Sequence, residues 1–307
     1  MLLIVSPNLC LDRIVVVRGF AVGRVHRAES ATDLASGKGL NVARAARALG
    51  VDVRVVGIVG GSDAARAILR GARAQGLRLD AVRVPGPVRV CTLVIDPNQG
   101  ETVINEPGPS VSAQAVDMLH AHVRAALKRA RAVVLAGSLP PGMPPEVYAD
   151  VARQAQTIPV ILDATGEALR LGLAARPYLV KMNHLELQEA VGRPLDTPDA
   201  VRKAAEEMRS IAGVSVLITL GAKGAFLFTA KGGWHIVPPE VHRVNTIGAG
   251  DSLTAGLAAG MLQGLPLLEA ARLGVAAAAA DLVTLLPGTV DAALVEQLVP
   301  RVGVHAV

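Results

Sequence analysis

Aromatic residues are scarce in this 307-residue sequence: three phenylalanines, two tyrosines and one tryptophan make up 2% of it. The core must therefore be assembled from Val, Leu, Ile and Ala, drawn from a hydrophobic fraction of 51%. The same scarcity argues against a nucleic-acid ligand, because single-stranded sites interleave basic residues with aromatic rings on which bases stack. The net charge of +5 does not reverse this. Its 31 basic residues are dispersed among acids, on segments carrying Arg44, Arg47, Arg66, Arg70 and Arg73, and read as solvated helix faces. The mild positive field that remains favours phosphorylated ligands.

Cysteine is scarcer still. Cys10 and Cys91 provide no disulfide framework, which fits a reducing compartment. No apolar run approaches the ~20 residues that cross a bilayer. Met1 to Val17 is apolar but carries Asp12 and Arg13 and has no basic start, so it reads as a strand rather than a signal peptide. A soluble cytoplasmic protein with neither membrane nor nucleic-acid partners is expected. A dinucleotide-binding Gly-x-Gly-x-x-Gly is missing after the first strand, where Pro7-Asn8-Leu9 stands. The histidines are scattered, and His120 and His122 point different ways on a predicted helix, so no zinc site is expected.

What is present is an alternation. Short β-branched runs at Leu2–Ser6, Val53–Ile58, Ala132–Ala136, Val160–Leu162, Tyr178–Lys181 and Val214–Thr219 alternate with helical patterns at Ser62–Ala74, Ser112–Ala130, Pro145–Gln156 and Pro198–Ile211. Nearly continuous apolar strands separated by helices predict an α/β fold, with a mostly parallel sheet covered on both faces. Ligands in such folds bind beyond the carboxyl ends of the strands. Gly137, Ser138, Asp163, Asn183 and Gly221 all follow predicted strands and so share that edge. Two strand pairs interrupt the alternation: Arg13–Phe20 with Arg27–Leu34, and Val88–Asp96 with Thr102–Glu106. They predict a small β-sheet, from about 12–35 and 87–107, projecting from a single unit of residues 1–307.

Two glycine-rich segments carry the chemistry. In Val244-Asn245-Thr246-Ile247-Gly248-Ala249-Gly250-Asp251-Ser252, small residues lead into a carboxylate and an alanine-rich helical run. Backbone N–H groups at a helix N-terminus attract phosphate. The carboxylate that follows is placed either to deprotonate a hydroxyl attacking that phosphate, or simply to cap the helix. The second segment, Ala35-Ser36-Gly37-Lys38-Gly39-Leu40-Asn41, also opens onto a helical run. It is not a P-loop, which requires glycine and Ser or Thr where Thr32 and Gly39 stand.

The pair resembles the two signatures of the phosphofructokinase B family of sugar kinases, and the resemblance covers nearly the whole chain. Asn8-Leu9-Cys10-Leu11-Asp12, Ile104-Asn105-Glu106-Pro107-Gly108-Pro109, Gly137-Ser138-Leu139-Pro140-Pro141-Gly142 and Lys181-Met182-Asn183-His184-Leu185-Glu186-Leu187 follow in the family's order. The second and third of these are similar to the phosphohexose subgroup, which includes 1-phosphofructokinase and tagatose-6-phosphate kinase.

The resemblance implies a ribokinase-like three-layer fold. It also makes the small sheet a lid over the sugar site and a candidate homodimer interface. It implies ATP and Mg²⁺, with Asp251 as general base and the N–H groups of Gly248, Ala249 and Gly250 holding developing charge. Asp12, Gly37, Lys38, Gly39 and Asn41 are expected to bind the sugar, and Lys38, Arg89, Ser138 and Arg27 its phosphate. Lys181, Asn183, Thr219, Gly221 and Gly224 would face ATP, with Ala277, Ala280 and Gly288 near adenine. Asn183 and Glu186, assisted by Asp163, would position Mg²⁺ through water, although a helix cap would use the first pair equally well.

Four positions depart from the family pattern: Met182 for proline, Cys91 for asparagine, His26 for asparagine and Asn245 for aspartate. Phosphorylation of fructose 1-phosphate is the expected activity. Tagatose 6-phosphate and fructose 6-phosphate are the alternative substrates. An unphosphorylated sugar or nucleoside, or a role as a non-catalytic sensor, ranks behind them.

Overall fold

The computed structural model describes residues 1–61 and 63–307, so the expected helix start at Ser62 lies outside the described residues. The chain opens with β1 (Leu2–Ser6), β2 (Cys10–Val16) and β3 (Ser30–Ser36), then α1 (Lys38–Ala48), β4 (Val53–Gly60), α2 (Asp63–Ala74) and β5 (Arg78–Val84). β6 (Arg89–Asp96) and β7 (Gly100–Asn105) follow, then α3 (Ala113–Leu127), β8 (Ala132–Ala136), α4 (Val147–Ala155), β9 (Val160–Asp163) and α5 (Gly166–Ala174). Next come β10 (Leu179–Asn183), α6 (His184–Val191), α7 (Pro198–Ala212), β11 (Ser215–Thr219), β12 (Ala225–Thr229) and β13 (Gly232–Val237). The chain closes with α8 (Ala249–Leu262), α9 (Leu267–Asp281), α10 (Ala292–Leu298) and β14 (Gly303–Ala306).

Ten strands form the main sheet in the order β14-β13-β12-β11-β10-β9-β8-β1-β4-β5, parallel from β11 to β5 and antiparallel from β12 to β14. Its strands are apolar on both faces, as a doubly covered sheet demands. Leu2 and Ile4 of β1 point into a core shared with α1, α8 and α9, whereas Leu3 and Val5 point into one shared with α3, α4 and α7. The result is the expected three-layer arrangement. Beside α1, helices α8 and α9 pack closely because they meet through glycine and alanine. A Cβ at Gly256 would lie 2.8 Å from Gly274 Cα.

The apolar stretch from Met1 to Val17 is two strands rather than one. Pro7, which has no backbone N–H to give a ladder, falls between β1 in the main sheet and β2 in the second sheet. Asp12 is therefore a residue of the second sheet. The edge strands β5 and β12–β14 were not anticipated.

The second sheet has the order β3-β2-β6-β7 and knits both strand pairs together through parallel pairing of β2 with β6. Because side chains alternate along a strand, its register arranges the inner face in rows. Ser36, Cys10 and Arg89 lie side by side, followed by Leu34, Asp12 and Cys91, then Thr32, Ile14 and Leu93. That face packs against Ile247, Leu285 and Leu286 of the main body.

Candidate active site

Helix α8 starts directly after Gly248, which adopts φ 97°. That conformation suits glycine, and no side chain would fit, since a Cβ would lie 2.8 Å from the Gly288 nitrogen. Gly248 occupies the cap position, and Asp251 lies in the first turn with its own N–H donating to Gly248 O at 2.8 Å. The cap alternative for Asp251 is thereby removed. Its side chain is 7% exposed, and Oδ2 accepts from Asn41 Nδ2 at 2.9 Å. Burial raises its pKa to about 6, against the lowering pull of Lys38. A carboxylate poised there can take a proton near neutral pH.

The loop before α8 is braced from two sides. Asn245 Nδ2 donates to Leu285 O at 3.0 Å while its Oδ1 accepts from Ile247 N at 2.9 Å. Thr246 N donates to Glu101 Oε1, on β7 of the second sheet, at 2.9 Å.

Opposite α8, Asp163 closes β9 with no exposed surface. Its Oδ1 accepts from Lys38 Nζ at 2.7 Å, and its Oδ2 from Lys181 Nζ at 2.8 Å and Thr254 Oγ1 at 3.3 Å. Burial alone would raise the Asp163 pKa; the two ammonium groups overcome it and hold the carboxyl well below its usual range. Burial would likewise lower the pKa of Lys38, but Asp163, Asp251 and Glu186 together raise it. Lys181 Nζ lies 3.1 Å from where a Cβ on Gly250 would stand, so the ammonium is beside the N-terminus of α8. An ion at Asp163 would have to displace a lysine, which disfavours the expected metal role.

Asn183 caps α6: its Oδ1 accepts from Leu185 N and Glu186 N, each at 2.9 Å, and Glu186 Oε2 accepts from Asn183 N at 2.8 Å. The expected metal pair is thus also a capping box. Glu186 Oε1 stays outside that box and faces Lys38 Nζ at 3.9 Å.

A hydrogen-bonded chain joins the second sheet to α8. Ser36 Oγ lies 2.5 Å from Asp12 Oδ2 and 3.0 Å from Asn41 Oδ1, and Asn41 reaches Asp251 as described. Sequence reasoning missed Ser36, and missed Arg44, whose guanidinium binds Asn41 Oδ1 at 3.1 Å, Ala35 O at 2.6 Å and Gln75 Oε1 at 2.9 Å. Burial lowers the Arg44 pKa to about 10, against the opposing pull of Asp12, Asp281 and Asp251. Gly37 (φ 100°) lies against Asn8 O and Leu9 Cα. Gly39 lies against Ser6, whose Oγ accepts its N–H at 3.2 Å.

Arg89 and Ser138 share a cleft of about 610 Å³ with Asn8, Glu106 and Gly108. Arg89 donates to Glu106 O at 2.8 Å and Asn105 Oδ1 at 3.1 Å, and Asn8 Nδ2 donates to Ser138 Oγ at 3.1 Å. Among the described residues Asn8 Oδ1 has no partner, and it lies buried against Gly108. Arg27 is not part of this group. It lies in the exposed loop beyond the Val16–Ser30 pair, about 20 Å along the strand from Ser36.

Thr219 and Gly221 sit at the strand-end edge, and Gly221 (φ 60°) has open space around it. Gly224 is explained by packing instead: a Cβ there would meet Ile236 O at 2.0 Å. Ala277 and Ala280 are fully buried, and Ala277 packs against Gly256 of α8, so neither lines a nucleotide pocket.

Comparisons with known proteins place the whole chain in one family. The model of the pfkB family carbohydrate kinases matches residues 3–290. A 1-phosphofructokinase of Rhodobacter capsulatus is 37% identical over 276 residues, 89% of this chain and 87% of that protein. One from Bacillus subtilis is 33% identical over 306 residues, covering 99% of both. Among solved structures, phosphofructokinase-2 from Escherichia coli in complex with fructose-6-phosphate superposes with a TM-score of 0.87, at 26% identity and 98% coverage of each chain. A ribokinase from Thermotoga maritima, at 22% identity, 98% coverage of this chain and 99% of that one, shares the fold with a TM-score of 0.79.

Proposed function

Because the chain belongs to the pfkB family of carbohydrate kinases, we propose that it transfers the γ-phosphoryl group of ATP to fructose 1-phosphate, giving fructose 1,6-bisphosphate. The observation that carries this reading is the buried Asp251 carboxylate, oriented by Asn41 at the open N-terminus of α8 and faced by the Lys38–Asp163–Lys181 cluster. Asp251 takes the proton of the attacking sugar hydroxyl. The Gly248, Ala249 and Gly250 backbone and Lys181 meet the charge that develops on the transferred group. Asp12 and Asn41 hold the sugar, while Arg89, Ser138 and Lys38 hold the phosphate it already carries. Thr219 and Gly221 line the triphosphate side. Lid and body work as one unit.

Magnesium supplies charge neutralisation of the nucleotide phosphates. The donor set fits it only through the water shell, since the cap occupies Asn183 Oδ1 and Glu186 Oε2 and leaves Glu186 Oε1. The lid also supports pairing of two copies. Val103 and Ile104 of its edge strand β7 are 40% and 58% exposed, and Val22 and Val25 in its long loop 97% and 96%. Such apolar exposure on an edge marks an interface, and a second copy would also cover Arg27.

Fructose 6-phosphate is the second reading, favoured by the fructose-6-phosphate complex of the E. coli neighbour and by Cys91, a departure in the lid. The test is ADP release from MgATP with fructose 1-phosphate, tagatose 6-phosphate, fructose 6-phosphate and free fructose or ribose. A kcat/KM for fructose 1-phosphate at least tenfold above the others is expected. A preference for a 6-phosphate would replace the substrate, and no turnover by folded protein would turn the reading toward another acceptor or a sensor.

A further inference from the structure

The only two cysteines of the sequence are 81 positions apart, yet the lid brings both to the same carboxylate. Cys91 stands directly across from Asp12 in the β2–β6 pairing, and Cys10 precedes Asp12 by two residues on the same face. The two sulfurs and a carboxylate oxygen of Asp12 all lie within 4.8 Å of one another. Cys10, Asp12 and Cys91 are 2%, 4% and 3% exposed. Cys10 Sγ donates to Asp12 Oδ1 at 3.1 Å, while Ser36 occupies the other oxygen.

Cys10 and Cys91 are diagonal neighbours on the paired strands, and both are free thiols. With metal–sulfur bonds of about 2.3 Å, tetrahedral ligand atoms lie about 3.8 Å apart, so the three groups need close in by no more than about 1 Å. We propose that Cys10, Asp12 and Cys91 form a site for a thiophilic divalent cation of the zinc and cadmium class at the base of the lid. Two thiolates and a carboxylate suit such ions rather than magnesium, and three protein ligands leave a fourth position for water.

Each thiol releases its proton to solvent as its metal–sulfur bond forms. The two are unequally prepared for this. Contact with Cys10 and the nearby Arg89 lower the Cys91 pKa, whereas contact with Cys91 together with burial raises that of Cys10. For Asp12, burial is the dominant influence and raises its pKa, so a bound cation would relieve an under-compensated carboxylate. The consequence for turnover rests on the proposed placement of the sugar at Asp12: the ion and the sugar phosphate would exclude each other.

The test uses the full chain, reduced with a phosphine and freed of metal by a chelator that is then removed. Cadmium chloride is titrated while the thiolate-to-cadmium absorption and the binding heat are followed. One equivalent with a charge-transfer band is expected, and Cys10→Ala and Cys91→Asn should each weaken binding at least tenfold. The absence of the band, or binding unchanged in both variants, overturns the site. Saturating fructose 1-phosphate should weaken cadmium binding. If the band forms but the sugar phosphate leaves it unchanged, the metal site stands and the placement of the sugar at Asp12 falls.

Discussion

The active site has two halves built on different terms. On the body side, charges are met by charges or amides: Asp163 holds both lysines, Asn41 holds Asp251, and a capping box joins Asn183 to Glu186. On the lid side, polar groups rest on neutral partners. Asp12 rests on a thiol and a hydroxyl, Asn8 Oδ1 has none, and Arg89 leans on its neighbours in β7 and Glu106. In the proposed reading, the body half holds the groups that perform the chemical step, and the lid half holds groups that meet the sugar.

The sharpest way to break this contrast is to remove the base. Asp251→Asn should lower kcat by about 10³-fold or more while sugar-phosphate binding, followed by calorimetry, stays largely intact. Retention of more than a few per cent of the rate would remove Asp251 from the chemistry. Asp163→Asn should cost about 3 kcal/mol in denaturant unfolding, because it leaves the buried Lys181 ammonium without its carboxylate and weakens the hold on the part-exposed Lys38. Its pH dependence gives a second check. A carboxyl held below its usual range contributes stability that is present above the unfolded value of about 4 and lost as pH falls below it. The variant should lack that acid limb.

Changes in the lid should be milder and separable. Arg89→Ala is expected to raise the KM for fructose 1-phosphate by about tenfold or more, as loss of one charge-assisted contact implies. The KM for ATP should stay unchanged, and the reverse pattern would move the phosphate site elsewhere. The smallest effect links the halves. Asp251 must be deprotonated, so kcat/KM should fall as pH drops through about 6. Asn41→Ala removes a bond that favours the charged form, so this limb should shift to higher pH; an unmoved limb would assign it to another group, such as the substrate's phosphate.

Much of the body half was legible in the sequence, because glycines before a helix and residues after strands follow from backbone geometry alone. Asp251, Lys38 and Asn183 all arrived where strand ends and helix starts should place them, whereas Lys181 lies inside β10 rather than at its end. The partners were not legible. Nothing in the sequence says that Asp163 faces two lysines rather than a metal, or that Ser36 and Arg44 join the network. Such contacts arise between segments up to about two hundred residues apart and leave no local pattern. The lid was foreseen as strands, but its parallel β2–β6 register was not, and that register alone sets Cys91 beside Asp12. Arg27 was misplaced for the opposite reason: sequence proximity to a lid strand says nothing about which end of the strand it occupies.

One joint ties the halves mechanically. Strand β3 ends at Ser36 and α1 begins at Lys38, with Gly37 alone between them and pressed against Asn8 and Leu9. A single residue so confined has no slack in which to absorb a rotation. Any tilt of the lid about that point is therefore geared directly into the first turn of α1, where Lys38 and Asn41 grip Asp163 and Asp251. The chain thus has a lever rather than a hinge at this joint, and its short arm carries the two residues that hold the acidic pair.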